Sequence, residues 1–166
     1  AVLLRAWGGR MMLGFAKPVP VNFWRLRQPR RDMVLVAIAG PGINMVLALV
    51  CVLLFHGLAF LPVDIREWVG HNLYNAAFIN VLLAVFNMLP LPPLDGGRVA
   101  VGVLPRPLAT QLARLERTGI VILLAALFIL PWIGDKIGMD LHIFWWLVGK
   151  PAAQMVEFLF RLGGVI

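Results

Sequence analysis

Three long apolar runs constrain the fold of this chain more than any other feature. Residues 33–61, 73–89 and 119–133 contain no Asp, Glu, Lys or Arg. At about 1.5 Å per residue, a helix over the first run exceeds the roughly 30 Å hydrocarbon layer of a bilayer, and the third run is short enough to need help from its flanks. With 61% hydrophobic and 14% charged residues, the sequence predicts an all-α integral membrane protein. We expect one domain over residues 1–166, with three to four crossings.

The segments between and around these runs are harder to assign. Glycines and prolines interrupt residues 1–32, and the alternation of residues 16–23 predicts a short β-hairpin at the membrane surface. Residues 62–72 are charged and predict an external loop, whereas residues 108–117 predict a surface helix. Residues 141–162 contain Lys150-Pro151, which we expect to interrupt a helix, so they form either a fourth, broken crossing or an interfacial helix anchored by Trp145 and Trp146.

Basic residues are distributed unevenly along the chain, whose formal charge is +7. Seven of them precede the first apolar run, and Arg98, Arg106, Arg114 and Arg117 lie between the second and third. This is the distribution that the positive-inside rule produces, so we expect the interval after residue 89 to face the cytoplasm of a bacterial cell. No basic, aromatic soluble face remains for nucleic acid, and the lipid bilayer is the expected partner.

Asp95 is the residue that most needs an explanation, because it follows an apolar run closely. It lies in Asn87-Met-Leu-Pro-Leu-Pro-Pro-Leu-Asp95-Gly-Gly, where three prolines prevent a continuous helix and Gly96 and Gly97 allow unusual backbone angles. A carboxylate near membrane depth is costly unless it is paired. We therefore expect a metal ion as its partner, although a helix-start cap or an ion pair with Arg98 would also satisfy it.

The pattern Asn87-x-x-Pro90-x-x-x-x-Asp95-Gly96 resembles the second motif of the site-2 proteases, the intramembrane zinc metalloproteases. Two upstream segments extend the resemblance. Residues 14–21 are similar to the membrane-associated hairpin of that family, and Gly40-Pro41-Gly-Ile-Asn44 is similar to its Gly-Pro-x-x-Asn helix. The likeness covers roughly residues 14–104 and is looser beyond them.

The resemblance implies a polytopic protease that cleaves transmembrane or membrane-proximal peptide segments. It implies that Asp95 binds a catalytic zinc ion (Zn2+) together with two histidines of a His-Glu-x-x-His helix, whose glutamate is the general base. Zinc with three protein ligands keeps a fourth position for water. The resemblance also implies that Asn87, Pro90 and Asn44 hold an unwound substrate strand, with Gly96 and Gly97 supporting the turn.

The sequence departs from the family at the His-Glu-x-x-His motif, which is absent. Its histidines are His56, His71 and His142, and none has a histidine four residues away. We expect the chain to be an N-terminally truncated piece whose missing ligands and base lie upstream of Ala1. The alternative is an inactive relative that binds transmembrane helices without cutting them. A transporter or channel subunit would also place a carboxylate in broken backbone, but it would not explain the combined motifs.

Overall fold

The computed structural model of the chain describes residues 28–165, which are almost entirely helical. No strand occurs within this described range. The expected hairpin of residues 16–23 lies outside it, so that prediction is not tested here. At the end of the predicted interface segment 1–32, however, residues 29–32 already belong to the first helix.

Seven α-helices follow one another in the described range. They are α1 (Pro29–Phe55), α2 (Val63–Asn87), α3 (Asp95–Val103), α4 (Arg106–Arg114), α5 (Glu116–Leu124), α6 (Leu130–Ile137) and α7 (Lys150–Leu162). A 3-10 turn, His56–Phe60, extends α1, and π turns occupy Ala125–Ile129 and Trp145–Gly149. Each π turn joins its neighbours into one longer helix, so residues 143–162 form a single element, the C-terminal helix.

Three of the described helices are long and apolar enough to cross a membrane. They span Arg30–Phe60, Val63–Asn87 and Thr118–Ile137, and the last is called here the third apolar helix. Large apolar side chains along them, such as Leu53 and Phe128, are more than half exposed. An apolar exterior of this extent suits lipid rather than water. The prediction of a helical integral membrane protein is therefore confirmed.

The predicted external loop over residues 62–72 is wrong, because α2 begins at Val63. Pro62 precedes the helix with an extended ψ of 145°, and Asp64 in the first turn complements the positive end of the helix dipole. Arg66 Nη2 also donates to the carbonyl oxygens of Ala59 (3.4 Å) and Leu61 (3.0 Å), which closes the connection from α1. The charged residues thus begin the helix instead of separating two helices.

The expectation that Lys150-Pro151 interrupts a helix is also wrong. Proline lacks the N–H of a regular helix, and its ring clashes with the carbonyl four residues back. A π turn immediately before Lys150 changes this spacing, since the Lys150 N–H bonds to Trp145 O. The same device precedes Pro131, where the Leu130 N–H bonds to Ala125 O. Each proline therefore sits one residue after a widened turn, and the helix continues.

Small side chains let α1, α2 and the C-terminal helix approach closely. Six of the eight residues in their shared core are alanine or valine, and the other two are larger. The eight are Ala48, Val52, Ala77, Val81, Ala152, Val156, Leu159 and Phe160. Such small-residue interfaces favour helix association in lipid, where packing replaces hydrophobic burial. The core is therefore shared by three helices, and it joins the second half of α1 to the C-terminal helix.

Candidate metal-binding site

Asp95 is the first residue of α3. It follows the segment that joins α2 to α3, residues 88–94, called here the proline-rich loop. The preceding Leu94 is extended (φ −66°, ψ 159°), and no side-chain capping bond is formed at this helix start. The predicted alternative, in which the Asp95 side chain caps the start of a helix, is therefore wrong. In the first turn, the carboxylate instead complements the positive end of the α3 dipole.

The carboxylate of Asp95 has one weak partner among the described residues. Arg98 Nη1 lies 3.9 Å from Asp95 Oδ1, and the side chain of Asp95 is 29% exposed against 52% for Arg98. A charge-assisted hydrogen bond would bring these atoms to about 2.7–2.9 Å. At the observed distance the contact is an ion pair without a hydrogen bond, and an exposed pair of this kind contributes little stability. Lone pairs of Asp95 therefore remain available to a ligand.

Gly40 of α1 lies directly beside this carboxylate. A Cβ atom built on Gly40 would be 3.1 Å from Asp95 Oδ2, which is tighter than nearly all such contacts. Asn44 follows one helical turn later and so lies on roughly the same face of α1. The Gly-Pro-x-x-Asn segment thus packs where α3 begins, and a side chain at Gly40 would require the Asp95 carboxylate to shift by a few tenths of an ångström.

Asn44 and Asn87 both keep their amide groups free of other described residues. Both side chains are half-buried, and neither makes a hydrogen bond within residues 28–165. Asn80 on the same helix as Asn87 behaves differently, because its Nδ2 donates to Ala76 O at 2.8 Å. Asn87 is the last residue of α2, at the edge of the loop, and Pro90 is exposed within that loop. The roles predicted for these three residues in binding a substrate strand remain predictions.

The proline-rich loop is closed by local backbone bonds. Leu91 N donates to Leu89 O at 2.8 Å, and Leu94 N donates to Leu91 O at 3.0 Å. A cis peptide bond joins Pro92 and Pro93. These turns satisfy part of the irregular backbone internally, as a loop at membrane depth requires.

Gly96 and Gly97 support this loop by a mechanism other than the predicted one. Both are helical, and the glycines with positive φ in the described range are Gly138 and Gly164. A Cβ on Gly96 would lie 2.5 Å from Leu89 O, and one on Gly97 would lie 2.5 Å from the carbonyl carbon of Leu91. The two glycines are therefore needed for close backbone approach, and the expectation of unusual backbone angles is wrong.

A third glycine, Gly119 at the start of the third apolar helix, also packs closely on the loop. A Cβ there would collide with the Pro92 carbonyl oxygen and lie 2.7 Å from the Pro92 carbonyl carbon. Sequence reasoning missed this residue, since nothing in its neighbourhood resembles a motif. In the sequence, a glycine ahead of an apolar run is compatible with many roles. Its contact with Pro92 is visible only in the three-dimensional structure.

The three histidines lie in separate places and do not form a site with Asp95. His56 Nε2 is 2.8 Å from Gly163 O, whereas His71 is exposed on α2. His142 Nδ1 is 2.8 Å from Asp140 Oδ1, and the His142 backbone N–H together with this imidazole lowers the pKa of Asp140. No group of three metal-ligating side chains occurs within residues 28–165. Within the described residues, Asp95 is therefore the one candidate zinc ligand at this site.

Comparison with known proteins identifies the class. Residues 62–130 match the profile described as Peptidase family M50, and this region includes α2, the proline-rich loop and α3. The curated relatives carry the name "Putative zinc metalloprotease". The chain therefore contains a region of peptidase family M50, the site-2 proteases, and the resemblance seen in the sequence is confirmed.

Individual relatives extend the match over most of the chain. YwhC of Bacillus subtilis is 35% identical over 125 residues, covering 71% of this chain and 55% of the relative. Rip2 of Mycobacterium tuberculosis is 32% identical over 164 residues, covering 99% of this chain and 54% of the relative. MJ0611 of Methanocaldococcus jannaschii is 34% identical over 105 residues. The chain thus spans about half the length of the curated relatives it matches, and no solved structure matches it significantly.

Proposed function

We propose that the protein is a zinc-dependent intramembrane protease in which Asp95 is one of the zinc ligands. The observation that carries this proposal is the state of the Asp95 carboxylate. Its side chain is 29% exposed, it lies at a helix start beside Gly40, and the nearest cationic group among the described residues is 3.9 Å away. A carboxylate that packs beside a neighbouring helix and makes no hydrogen bond among the described residues is suited to binding a metal ion.

Part of the proposed catalytic machinery belongs to the described residues, and part belongs to residues outside them. Zinc, when bound, would polarise a peptide carbonyl and lower the pKa of a water ligand to about 7. Two further ligands and the general base are proposed to belong to a His-Glu-x-x-His helix outside residues 28–165. Asp95 would orient the metal from the α3 side, and the packing of Gly96 and Gly97 would fix its position.

Substrate handling is proposed for the amides near the loop. The carboxamides of Asn44 and Asn87, which make no hydrogen bond within residues 28–165, each offer a donor and an acceptor, which suits the backbone of an unwound peptide. The exposed ring of Pro90 would limit the conformations of the loop that contacts this strand. A transmembrane segment or its membrane-proximal flank is the proposed substrate, because the site adjoins three apolar helices.

We infer the side of the membrane on which cleavage occurs from the positions of basic residues. Arg98, Arg106 and Arg114 are exposed on α3 and α4, close to the proline-rich loop along the chain. Basic residues of this kind favour the cytoplasmic side of the membrane. Cleavage is therefore proposed to occur near the cytoplasmic face of a bacterial cell membrane.

The test uses the intact protein expressed from its natural reading frame and reconstituted in liposomes. The substrate is a reporter with one transmembrane helix interrupted by a Gly-Pro pair, which eases unwinding. Asp95→Ala should lower the cleavage rate at least about 100-fold, because loss of a ligand weakens the transition-state interaction by about 2.7 kcal/mol or more. Asp135→Ala, at an exposed aspartate of α6, is the matched control and should cleave at the wild-type rate. Equal rates for both variants would exclude the proposed role.

A second candidate function is that of an inactive relative that binds transmembrane helices without cutting them. The two candidates differ in the codons upstream of Ala1. An in-frame His-Glu-x-x-His supports the protease, and its absence from the complete reading frame supports the binding protein.

A further inference from the structure

The C-terminal helix runs antiparallel to α2 along most of its length. Near the proline-rich loop, the rings of Phe86 and Phe144 are 5.9 Å apart. Toward the other end, the rings of Tyr74 and Phe160 are 5.6 Å apart. The sixteen-residue step between the two phenylalanines of the C-terminal helix corresponds to about 24 Å. This helix therefore extends over much of the thickness of a bilayer beside α2.

A cavity follows the C-terminal helix and is also lined by Phe55 of α1 and Tyr74 of α2. Its volume is about 560 Å³, within the range of small-molecule sites. Four aromatic side chains line it: Phe55, Tyr74, Trp145 and Phe160. The step from Trp145 to Phe160 corresponds to about 22 Å along the helix. The cavity thus offers a long apolar wall in a part of the molecule whose exposed surface is itself apolar.

Two charged residues line this cavity, and one of them forms no ion pair with another described residue. Lys150 and Glu157 both line it. Glu157 Oε1 lies 2.5 Å from Arg161 Nη2, so its charge is neutralised locally. Lys150 forms no ion pair with another described residue, and its Nζ lies 4.8 Å from the ring centroid of Trp146. Among the described residues that line the cavity, Lys150 therefore carries the one positive charge that is not compensated.

The direction of Lys150 places that charge toward a membrane interface. Trp146 lies one turn before Lys150, so the ammonium group is turned toward the start of the C-terminal helix. That start lies beside Phe86, one residue before Asn87 and the proline-rich loop. Lysine in a lipid-exposed helix directs its charge to the headgroup region, and tryptophan is favoured at the same depth. The charged end of the cavity therefore belongs at the headgroup level.

We propose that this cavity binds one anionic phospholipid of the surrounding bilayer. An acyl chain would lie against the aromatic wall, and the phosphate would pair with the Lys150 ammonium beside Trp146. Charge complementarity selects an anionic lipid, because Glu157 is already neutralised and no described acidic group balances Lys150. The site is separate from Asp95 and does not depend on whether the protein cleaves peptides.

Retention of defined lipids by the intact protein tests this proposal. The protein is reconstituted in equal amounts of phosphatidylglycerol and phosphatidylcholine, re-extracted in detergent, and analysed by mass spectrometry for bound lipid. The wild type should retain about one phosphatidylglycerol per chain. Lys150→Gln should reduce this retention about fivefold, the factor equivalent to about 1 kcal/mol for one basic residue at an anionic surface.

Two further variants complete the design. Lys136→Gln is the matched control, because Lys136 also lies over a tryptophan, with Nζ 5.9 Å from the Trp132 ring, but it does not line the cavity. It should retain phosphatidylglycerol like the wild type. Ala153→Phe fills the cavity and should reduce retention of both lipids. The proposal is overturned if Lys150→Gln retains as much phosphatidylglycerol as the control, or if the wild type retains both lipids equally.

Discussion

The close approach of Asp95 to Gly40 joins two motifs that are more than fifty residues apart in the sequence. The space beside the carboxylate exists because Gly40 has no side chain, and the ideal Cβ position is 3.1 Å from Asp95 Oδ2. Metal ligands must be held within a few tenths of an ångström of their working geometry. Gly40 is therefore expected to set the position of the acid.

A pair of alanine substitutions on α1 isolates this contact. Gly40→Ala should displace the Asp95 carboxylate and weaken zinc retention in the intact protein by about tenfold, since small displacements at a site are costly. Gly42→Ala is the control, because nothing lies within 4 Å of its Cβ position. Both changes favour the helix by up to about 1 kcal/mol. Zinc retained during titration with a chelator is the measurement, and equal retention in the two variants would contradict the role of Gly40.

Sequence reasoning could select Asp95 but not its surroundings. An acid beside three prolines and two glycines is conspicuous in one dimension. The need for glycine at positions 40 and 119 arises from tertiary contacts with Asp95 and Pro92, which the sequence does not encode locally. The same limit explains the error at Gly96 and Gly97, where glycine was correctly singled out for the wrong physical reason.

At the scale of elements, the third apolar helix clamps the proline-rich loop against α3. Gly119 lies against the carbonyl group of Pro92, and Gly97 lies against Leu91 and the nitrogen of Pro92. The loop therefore contacts two helices that need glycine at the contact. Length and apolarity were enough to predict the third apolar helix itself, but not that its start supports the site.

Substitution of Gly119 should loosen the loop without touching Asp95. Gly119→Ala places a methyl group against the Pro92 carbonyl, and such overpacking typically costs about 1–3 kcal/mol. We expect faster hydrogen exchange at the amides of Leu89, Leu91 and Leu94 than in the wild type. Gly57→Ala, at a position with nothing within 4 Å, should leave that exchange unchanged. Unaltered exchange in Gly119→Ala would mean that the loop is stable without the clamp.

The helix boundaries that were wrongly predicted have a common cause. The charged residues at 64–67 and the Lys150-Pro151 pair both predict a break in a helix. In the structure, α2 begins directly after Pro62, and a π turn before Lys150 accommodates Pro151. Helix propensity and proline rules act locally, and a widened turn or a favourable helix start can override them. Long apolar runs are more predictable, because a bilayer leaves few alternatives to a helix.

For the whole molecule, the direction of the C-terminal helix determines which end of the bundle its last residues reach. His56 at the end of α1 bonds to Gly163, and Phe55 packs on Phe160 with ring centroids 4.8 Å apart. Gly40, which lies at Asp95, precedes Phe55 by about 22 Å along α1. Gly163 and Asp95 therefore lie toward opposite ends of α1. This arrangement favours the crossing over the interfacial alternative for residues 141–162.

Cysteine labelling in whole cells checks this topology. In a Cys51→Ser background, one variant carries Arg106→Cys and another carries a cysteine appended after Ile166. A membrane-impermeant maleimide added outside intact cells should label the appended cysteine but not the cysteine at position 106, because α4 follows the Asp95 loop on the cytoplasmic side. Permeabilised cells should label both. Labelling of the two positions from the same side would contradict this orientation of the C-terminal helix.

The zinc content of the intact protein tests the central claim most directly. The wild type and Asp95→Asn, a nearly isosteric change that removes the charge, are purified in parallel and analysed for metal per polypeptide. The account predicts close to one zinc ion per wild-type chain and a large loss in the variant. Equal zinc content in both proteins, or no zinc in a wild type whose complete reading frame includes His-Glu-x-x-His, would contradict the assignment of Asp95 as a ligand.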